Sequence, residues 1–226
     1  MEIVGKSQKE RTAERKLRES IFDTSRWKNL EVDKKMALIK RAFAVEVAEE
    51  VVMTKSLQNA LIKIKDWLLG KYPKKKWLLL AGNIGVGKTK LATAICKAYN
   101  FVMYSPISLY HESPLWRLKS ALQVVEALQN CYDTQDWAFI RGSGKLFIDD
   151  LGTEPEIQNI YGNKRNAIME ILMERYEKRL PTILTTNLTL KEQGKTSQFQ
   201  DRYGMRVFDR LKEIALVIGM EGESLR

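Results

Sequence analysis

The sequence has few of the residues that build metal centres or covalent cross-links. Its 226 residues include two cysteines and one histidine. Cys96, Cys131 and His111 lie far apart, without a CxxC pair or a His/Cys cluster, and this excludes a zinc site of the usual spacing. We therefore expect both thiols to be ordinary packing residues in a reducing compartment.

Long apolar runs and low-complexity linkers are also lacking. No apolar run approaches the length needed to span a bilayer, and the first twenty residues contain no apolar signal-peptide core. There is no internal repeat and no linker rich in Gly/Ser or Pro. These absences predict a soluble, cytoplasmic protein that does not associate with a membrane.

Apolar residues and positive charge are both plentiful. Hydrophobic residues make up 44% of the chain, enough to form a core. The 38 lysines and arginines outnumber 28 acidic residues, for a formal net charge of +10, so an anionic partner is compatible with the composition. However, no stretch combines aromatic and basic residues in the way that stacks nucleic-acid bases.

The periodicity of apolar residues predicts helices first and then alternating strands and helices. Helices are predicted over 34–52 and 56–69. Further on, helices are predicted over 88–100, 114–131, 163–179 and 201–213, the third with Ile168, Ile171, Leu172 and Tyr176 on one face. Between them, strands are predicted at 76–82, 101–106, 145–150, 181–187 and 214–220. This alternation predicts an α/β fold with a five-stranded parallel sheet and helices on both faces.

The segment "GNIGVGKT" from Gly82 to Thr89 follows the first predicted strand and precedes a helix. It fits the pattern G-x-x-x-x-G-K-[ST] of a phosphate-binding loop in the context that this pattern requires. Its glycines let backbone N–H groups turn inward around phosphate oxygens. Lys88 can then reach the terminal phosphates and the Thr89 hydroxyl can bind Mg²⁺. The segment therefore predicts nucleotide binding.

Two adjacent carboxylates, Asp149 and Asp150, end the predicted strand "KLFIDD". They are interpreted either as a polar turn or as a metal site, and the upstream loop favours the second. In that interpretation Asp149 binds Mg²⁺, and Asp150 orients or deprotonates the attacking water. Many phosphate-loop ATPases have glutamate at the second position, and aspartate is one methylene shorter.

Two further elements can serve nucleotide chemistry. Asn187 follows the strand "TILTT". It either forms a hydrogen bond with the attacking water or the γ-phosphate, or caps the next turn. Arg206 and Arg210 are four residues apart, so they share one face of a predicted helix. They either pair with acidic neighbours on a solvated surface or supply an arginine finger to the site of another subunit.

Together these elements resemble the AAA+ ATPases, and specifically the DnaC/IstB-like helicase loaders. The similar segments are "GNIGVGKTKLATAI", "LFIDDLGTE", the stretch through "TILTTNL", "YGMRVFDRL" and the ending "GMEGESLR". The resemblance covers about residues 56–226. It implies an AAA+ domain at 56–226 without a C-terminal lid domain, preceded by a helical N-terminal region at 1–55.

The resemblance also implies ATP and Mg²⁺ as cofactors and assigns roles to individual residues. The metal would be held by Thr89 and Asp149. The implied catalytic residues are Lys88, Asp150, Asn187 as the sensor residue, and Arg210 as the finger. The implied nucleotide contacts are Gly82, Asn83, Gly85, Val86, Gly87, Lys88, Thr89 and Arg206.

The function implied by the resemblance is ATP-dependent loading of a replicative helicase onto DNA. Subunits would form a homo-oligomer with shared ATP sites and would bind single-stranded DNA. The N-terminal helices, with Phe22, Trp27 and the apolar stripe from Met36 to Val52, would bind the helicase, unless that stripe packs against the ATPase domain. Alternatives are an IstB-like transposition helper ATPase and a nucleotide-gated adaptor with very slow hydrolysis. A small-molecule kinase fits the later motifs poorly.

Overall fold

The computed structural model describes residues 24–48, 51–104, 115–129, 137, 140–141, 144–160, 162–191 and 196–222. The helices in these ranges are α1 (Ser25–Asn29), α2 (Val32–Val47), α3 (Lys55–Leu68), α4 (Lys88–Met103), α5 (Ala121–Gln129), α6 (Ala167–Glu177) and α7 (Gln198–Ile214). The strands are β1 (Trp77–Gly82), β2 (Trp116–Ser120), β3 (Lys145–Leu151), β4 (Gln158–Ile160), β5 (Asn163–Arg165), β6 (Thr182–Thr186) and β7 (Ala215–Met220).

Five strands form a parallel sheet in the order β2-β3-β6-β1-β7, which confirms the predicted sheet. The chain therefore adds β2 and β3 on one side of β1 and later inserts β6 between β3 and β1. Because the strands are parallel, the carboxyl ends of β1, β3 and β6 meet at one edge, where open α/β sheets bind ligands.

Alternating side chains of β1 divide the core into two layers. Leu78 and Leu80 pack in a buried cluster with residues of α2, α3 and α4. Trp77 and Leu79 pack in a second cluster with residues of α5, α6 and α7. A strand that is apolar on both faces requires such cover on both sides. The helices thus lie on both faces of the sheet, as predicted.

The second strand lies later in the sequence than predicted. Residues 101–103 continue helix α4, and Met103 is buried in the same cluster as the earlier residues of that helix. The strand is instead β2, in a segment predicted to be helical. Ser120 ends it, because its Oγ accepts a 3.1 Å hydrogen bond from Gln123 N while Gln123 Oε1 accepts one from Ser120 N at 2.9 Å. This reciprocal cap starts α5 at Ala121 and limits the predicted helix to its second half.

A short antiparallel hairpin of β4 and β5 was not predicted from the sequence. It includes Asn163–Arg165, which were predicted to begin a helix. The helix α6 begins after Asn166, whose side chain accepts a 2.9 Å hydrogen bond from Met169 N. That cap fixes the helix start, and the four apolar residues predicted to share a face are buried.

The apolar stripe of α2 packs against the sheet domain. Met36, Ile39, Phe43 and Val47 are buried in the cluster that contains the apolar face of α4. The helix ends at Val47, earlier than predicted, because Ala48 adopts a left-handed conformation with φ 58°. Of the two interpretations of this stripe, packing against the rest of the fold is therefore correct for these four side chains. Phe22, also assigned to helicase binding, lies outside the described residues.

The helices in the described ranges cannot cross a membrane, because none is both long and apolar enough. Within the same ranges, β7 is the last element, and no helical lid follows it up to residue 222.

Candidate nucleotide-binding site

The loop between β1 and α4 turns sharply and needs glycine at both ends. Gly82 has φ 149°, and a Cβ atom there would lie 1.8 Å from the carbonyl oxygen of Met220 in β7. Gly87 caps α4 with φ 88°, a conformation that favours glycine. The loop therefore lies at the carboxyl edge of the sheet, against the positive end of a 16-residue helix. This is the arrangement that binds phosphate groups.

Lys88 reaches back over this loop. Its Nζ donates to the carbonyl oxygens of Gly82 at 2.9 Å and Asn83 at 2.6 Å, and to Asn187 Oδ1 at 2.7 Å. Burial lowers the pKa of the Lys88 ammonium, and the charges of Asp150 and Asp149 oppose that shift. Two other residues of the loop are Gly85, which has φ 86°, and Val86, whose side chain is buried in the core. All three ammonium hydrogens are thus held at the loop, where phosphate oxygens would replace one or more of these acceptors.

Asp149 and the Thr89 hydroxyl come together next to Lys88. Thr89 Oγ1 donates to Asp149 Oδ1 at 2.9 Å, and Thr185 Oγ1 donates to the same oxygen at 2.6 Å. Oxygen donors are the ligands that Mg²⁺ prefers, and it commonly takes one or two carboxylates together with phosphates and water. Among the described residues, no group of three or more His, Cys, Asp or Glu side chains could hold a metal ion. Thr89 and Asp149 can hold Mg²⁺.

Asp150 occupies a β-bulge. Ile148 pairs with Leu184 and Leu151 with Thr186, so two residues of β3 stand opposite one residue of β6. Asp150 has φ 54°, and its N–H donates to Thr185 Oγ1 at 2.8 Å. Among residues with a Cβ atom, aspartate and asparagine are enriched in this left-handed region. The backbone thus supplies a physical reason for aspartate rather than glutamate at position 150.

Replacement of Asp150 by asparagine should slow ATP hydrolysis by about 10²- to 10⁴-fold and leave ATP affinity unchanged. Asparagine tolerates the left-handed backbone but cannot accept a proton from water. Single-turnover hydrolysis and nucleotide titration measure the two effects. The exposed Asp33, which pairs with Lys65, offers a matched control as Asp33→Asn. An Asp150→Asn protein that hydrolyses ATP at the wild-type rate would remove this residue from the chemistry.

Asn187 lies beside Lys88, and a different residue, Thr186, makes the hydrogen bonds of the turn after β6. Thr186 Oγ1 accepts a hydrogen bond from Leu188 N at 3.1 Å and donates to Leu151 O at 2.8 Å. Asn187 instead accepts the Lys88 hydrogen bond with its side chain. The structure therefore brings Asn187 to the loop, and Thr186 makes the turn contact.

Arg210 lies away from the phosphate loop of its own chain, and Arg206 precedes it by one helical turn. Both are exposed on α7, after Gly204 interrupts the helix with φ 80° and ψ 160°. The helix leads into β7, whose first residue pairs with Trp77 at the start of β1, so its end lies at the edge opposite the loop. There Arg210 Nη1 lies 3.4 Å from the Tyr176 hydroxyl.

Glu154 is a buried carboxylate to which the sequence analysis assigned no role. Its Oε1 accepts the Tyr203 hydroxyl at 2.6 Å and lies 3.3 Å from Arg202 Nε, and its Oε2 accepts Gly152 N at 2.9 Å. Burial, together with the charge of Glu154, raises the pKa of Tyr203 strongly. The only signal in the sequence is an acidic residue shortly after Asp150. The contacts tie the segment after β3 to the start of α7.

Glu154→Gln should lower the free energy of unfolding by roughly 3 kcal/mol, because it leaves Arg202 without its partly buried charge partner. Urea denaturation measures the change. The exposed neighbour Glu156 provides the control, and Glu156→Gln should shift stability by less than about 0.5 kcal/mol. Equal stability of the two variants would show that the Glu154 contacts contribute little.

The comparison with protein families agrees with this geometry. The family model described as IstB-like ATP binding protein matches residues 30–226. The chain belongs to this family. The resemblance to DnaC/IstB-like AAA+ ATPases is thereby confirmed. The IstB-like chain carries its phosphate loop, paired aspartates and Asn187 inside the matched range.

Curated relatives match parts of this IstB-like chain. It is 27% identical over 161 residues to the replicative helicase loader DnaI of Bacillus subtilis, covering 68% of this chain and 48% of DnaI. It is 43% identical over 56 residues to the replication factor C large subunit of Thermococcus kodakarensis, covering 25% of this chain and 11% of that protein. The chain therefore spans about half of DnaI and about a tenth of the other relative.

Solved structures share the fold. The DnaC helicase loader superimposes with a TM-score of 0.57 at 22% identity, covering 80% of this chain and 99% of that chain. DnaI superimposes with a TM-score of 0.53 at 23% identity, covering 85% and 100%. AMPPCP-bound DnaA from Aquifex aeolicus gives 0.52 at 14% identity, covering 76% and 49%. These likenesses show that the IstB-like chain has the AAA+ fold.

Proposed function

We propose that this chain is an ATP-dependent loader that delivers a replicative helicase onto DNA, with ATP bound and hydrolysed at subunit interfaces. The observation that carries the ATP-binding part is the contact of Lys88 with both the phosphate loop and Asn187. The 27% identity to the loader DnaI supports the rest. The domain boundary proposed from the sequence, 1–55 and 56–226, is kept.

In this proposal the carboxyl edge of the sheet binds ATP with Mg²⁺. Backbone N–H groups of the loop and the N-terminus of α4 surround the phosphates, and Lys88 neutralises the terminal ones. Thr89 and Asp149 hold Mg²⁺, which supplies charge neutralisation to the phosphates when bound. The Asp149 oxygen is already oriented by two hydroxyl groups, so binding needs little rearrangement there.

Hydrolysis then requires a positioned water. Asp150 accepts a proton from it, and Asn187 holds it or the terminal phosphate. The bulge at Asp150 turns its backbone relative to that of Asp149, which supports separate roles for the two neighbouring carboxylates.

The proposed interface joins opposite ends of neighbouring subunits. Arg210 is remote from the loop of its own chain, so it acts in the site of an adjacent subunit, with Arg206 beside it. The exposure of both side chains supports this arrangement, because a finger must reach out of its own subunit. A homo-oligomer with shared ATP sites follows.

We place the helicase contact in residues 1–55, outside the buried stripe of α2. Val45 is 73% exposed and Val52 is 64% exposed, so apolar surface remains there for a partner. Single-stranded DNA binding is supported by the net charge of +10.

Affinity capture of the full chain from extract of the source cells, with ATP present, tests the loader proposal. A recovered replicative helicase that is lost with the double change Val45→Asp and Val52→Asp supports it. Recovery of a transposase and no helicase would instead favour the transposition helper, the alternative given with the resemblance. A chain that binds ATP but shows no turnover with or without single-stranded DNA would be a nucleotide-gated adaptor.

A further inference from the structure

A second site lies at the edge of the sheet opposite the phosphate loop. A cavity of about 310 Å³ opens there, at the lower end of the range for small-ligand pockets. Its lining includes Trp116 and Lys145, the first residues of β2 and β3, and Lys76, which precedes β1. The six residues of β1 separate this edge from the loop by about 20 Å. The cavity is therefore distinct from the nucleotide site.

Aromatic rings form much of the cavity wall. The rings of Trp27 and Tyr99 lie 5.1 Å apart between centroids, and those of Tyr99 and Trp116 lie 6.5 Å apart. Trp67 adds a fourth ring from the last turn of α3. Trp27 is half-buried, so part of its surface remains open. Planar apolar surfaces of this kind suit the face of a nucleic-acid base.

The Tyr99 hydroxyl is buried in this wall. Within the described residues it has no hydrogen-bond partner. A buried hydroxyl without a partner is unfavourable, so it gains from a ligand that brings one. Burial raises the pKa of Tyr99 to about 12, so the hydroxyl keeps its proton and can donate at neutral pH.

Positive charge surrounds the rings. Lys145 Nζ lies 4.9 Å from the centroid of the Tyr99 ring, and burial together with the charge of Lys28 lowers the pKa of Lys145. Lys76 is exposed at the rim. In the part of the chain that the structure describes, no carboxylate forms an ion pair with Lys28, Lys76 or Lys145. The surface around the cavity is therefore suited to an anion.

We propose that this cavity binds single-stranded nucleic acid, with one base against the aromatic wall and the adjoining phosphates against the lysines. The planar apolar walls suit the face of a base, and the buried hydroxyl can donate to its edge. The lysines suit the phosphates. The inference rests on the DNA-binding part of the proposed function and supplies a location for it.

Fluorescence anisotropy with a labelled oligothymidylate, the full chain and a non-hydrolysable ATP analogue tests the proposal. Trp27→Leu keeps apolar volume but removes the ring, and should weaken binding about 5- to 150-fold. Tyr99→Phe removes only the unpartnered hydroxyl, so it should weaken binding about 2- to 10-fold without lowering Tm. Lys76→Glu should weaken binding and reduce the salt dependence by roughly one counterion.

Two controls separate the cavity from general charge attraction. Lys40→Glu makes the same charge change at an exposed lysine on α2, and should change affinity by less than about twofold at physiological salt. An oligonucleotide of equal length that lacks bases should bind Trp27→Leu and wild type alike. An equal loss for Lys40→Glu and Lys76→Glu would overturn the assignment to the cavity.

The remaining outcomes distinguish this inference from the proposed function. Wild-type oligonucleotide affinity in Trp27→Leu, Tyr99→Phe and Lys76→Glu would overturn the cavity site while leaving the loader proposal standing. The same anisotropy measurement can be made with a labelled acidic peptide that contains tryptophan. Binding of this peptide, with no binding of oligothymidylate, would assign the cavity to a protein partner instead. If the wild-type chain captures no helicase but still binds the oligonucleotide, the loader proposal alone is overturned.

Discussion

Replacing Lys88 with alanine should abolish ATP binding, with a loss of affinity of at least about 100-fold. The ammonium lies over the loop and is held by two loop carbonyl groups and by Asn187. Its removal takes away the charge that meets the phosphates, and it also leaves those carbonyl groups without their donor. Titration with a fluorescent ATP analogue measures the loss.

Lys90 is the matched control. It lies two residues further along α4, and its Nζ donates to the carbonyl oxygen of Val47 at 3.4 Å. Lys90→Ala should bind ATP within about twofold of wild type. A thermal melt of Lys88→Ala establishes that the fold persists. Unchanged ATP affinity in a folded Lys88→Ala protein would refute the phosphate-binding role of this residue.

Arg210→Ala should leave ATP affinity largely intact and reduce hydrolysis by about 10³- to 10⁵-fold under assembling conditions. The arginine lies at the edge opposite its own phosphate loop, where it contacts Tyr176 and Glu213. Its loss therefore cannot disturb the site of its own chain directly. Steady-state hydrolysis at saturating ATP measures the reduction.

Arg179 is a close internal control for Arg210. It also lies over the Tyr176 ring, at 4.5 Å, and also binds Glu213, at 3.2 Å. Arg179→Ala should therefore reproduce any loss of local packing without the loss of hydrolysis. Mixing Arg210→Ala subunits with Asp150→Asn subunits should restore activity, since the mixed interface has one intact finger and one intact carboxylate. No recovery would contradict action between subunits.

The sheet could be predicted from the sequence because its strands are short apolar runs with clear ends. The strand β1, for example, is apolar throughout and stops at a glycine loop. The strand β2 could not be found in this way, since "WRLKS" is neither continuously apolar nor longer than five residues. Its position depends on pairing with β3 and on two hydrogen bonds between the Asn100 side chain and the backbone of Trp116. Such contacts between distant residues leave no periodic pattern.

The candidate nucleotide site also has some features that local sequence predicts and others that depend on tertiary contacts. The sequence by itself determined the phosphate loop and the order of the motifs, because backbone geometry over eight successive residues depends mainly on the residues within it. The tertiary structure decided the bulge that places Asp150 in a left-handed conformation, since that bulge exists only through pairing with β6. It also decided the burial of Glu154 against α7 and the distance of Arg210 from its own loop.

The cavity at the sheet edge opposite the phosphate loop shows most clearly what the sequence could not predict. The sequence contains no basic and aromatic run, but folding brings together Trp27, Trp67, Tyr99 and Trp116 from four separate segments. The physical reason is that a packed core joins residues by shape and burial, whatever their separation along the chain. Local spacing thus specified how this protein contacts phosphates, and only packing decided which aromatic and charged side chains share a surface.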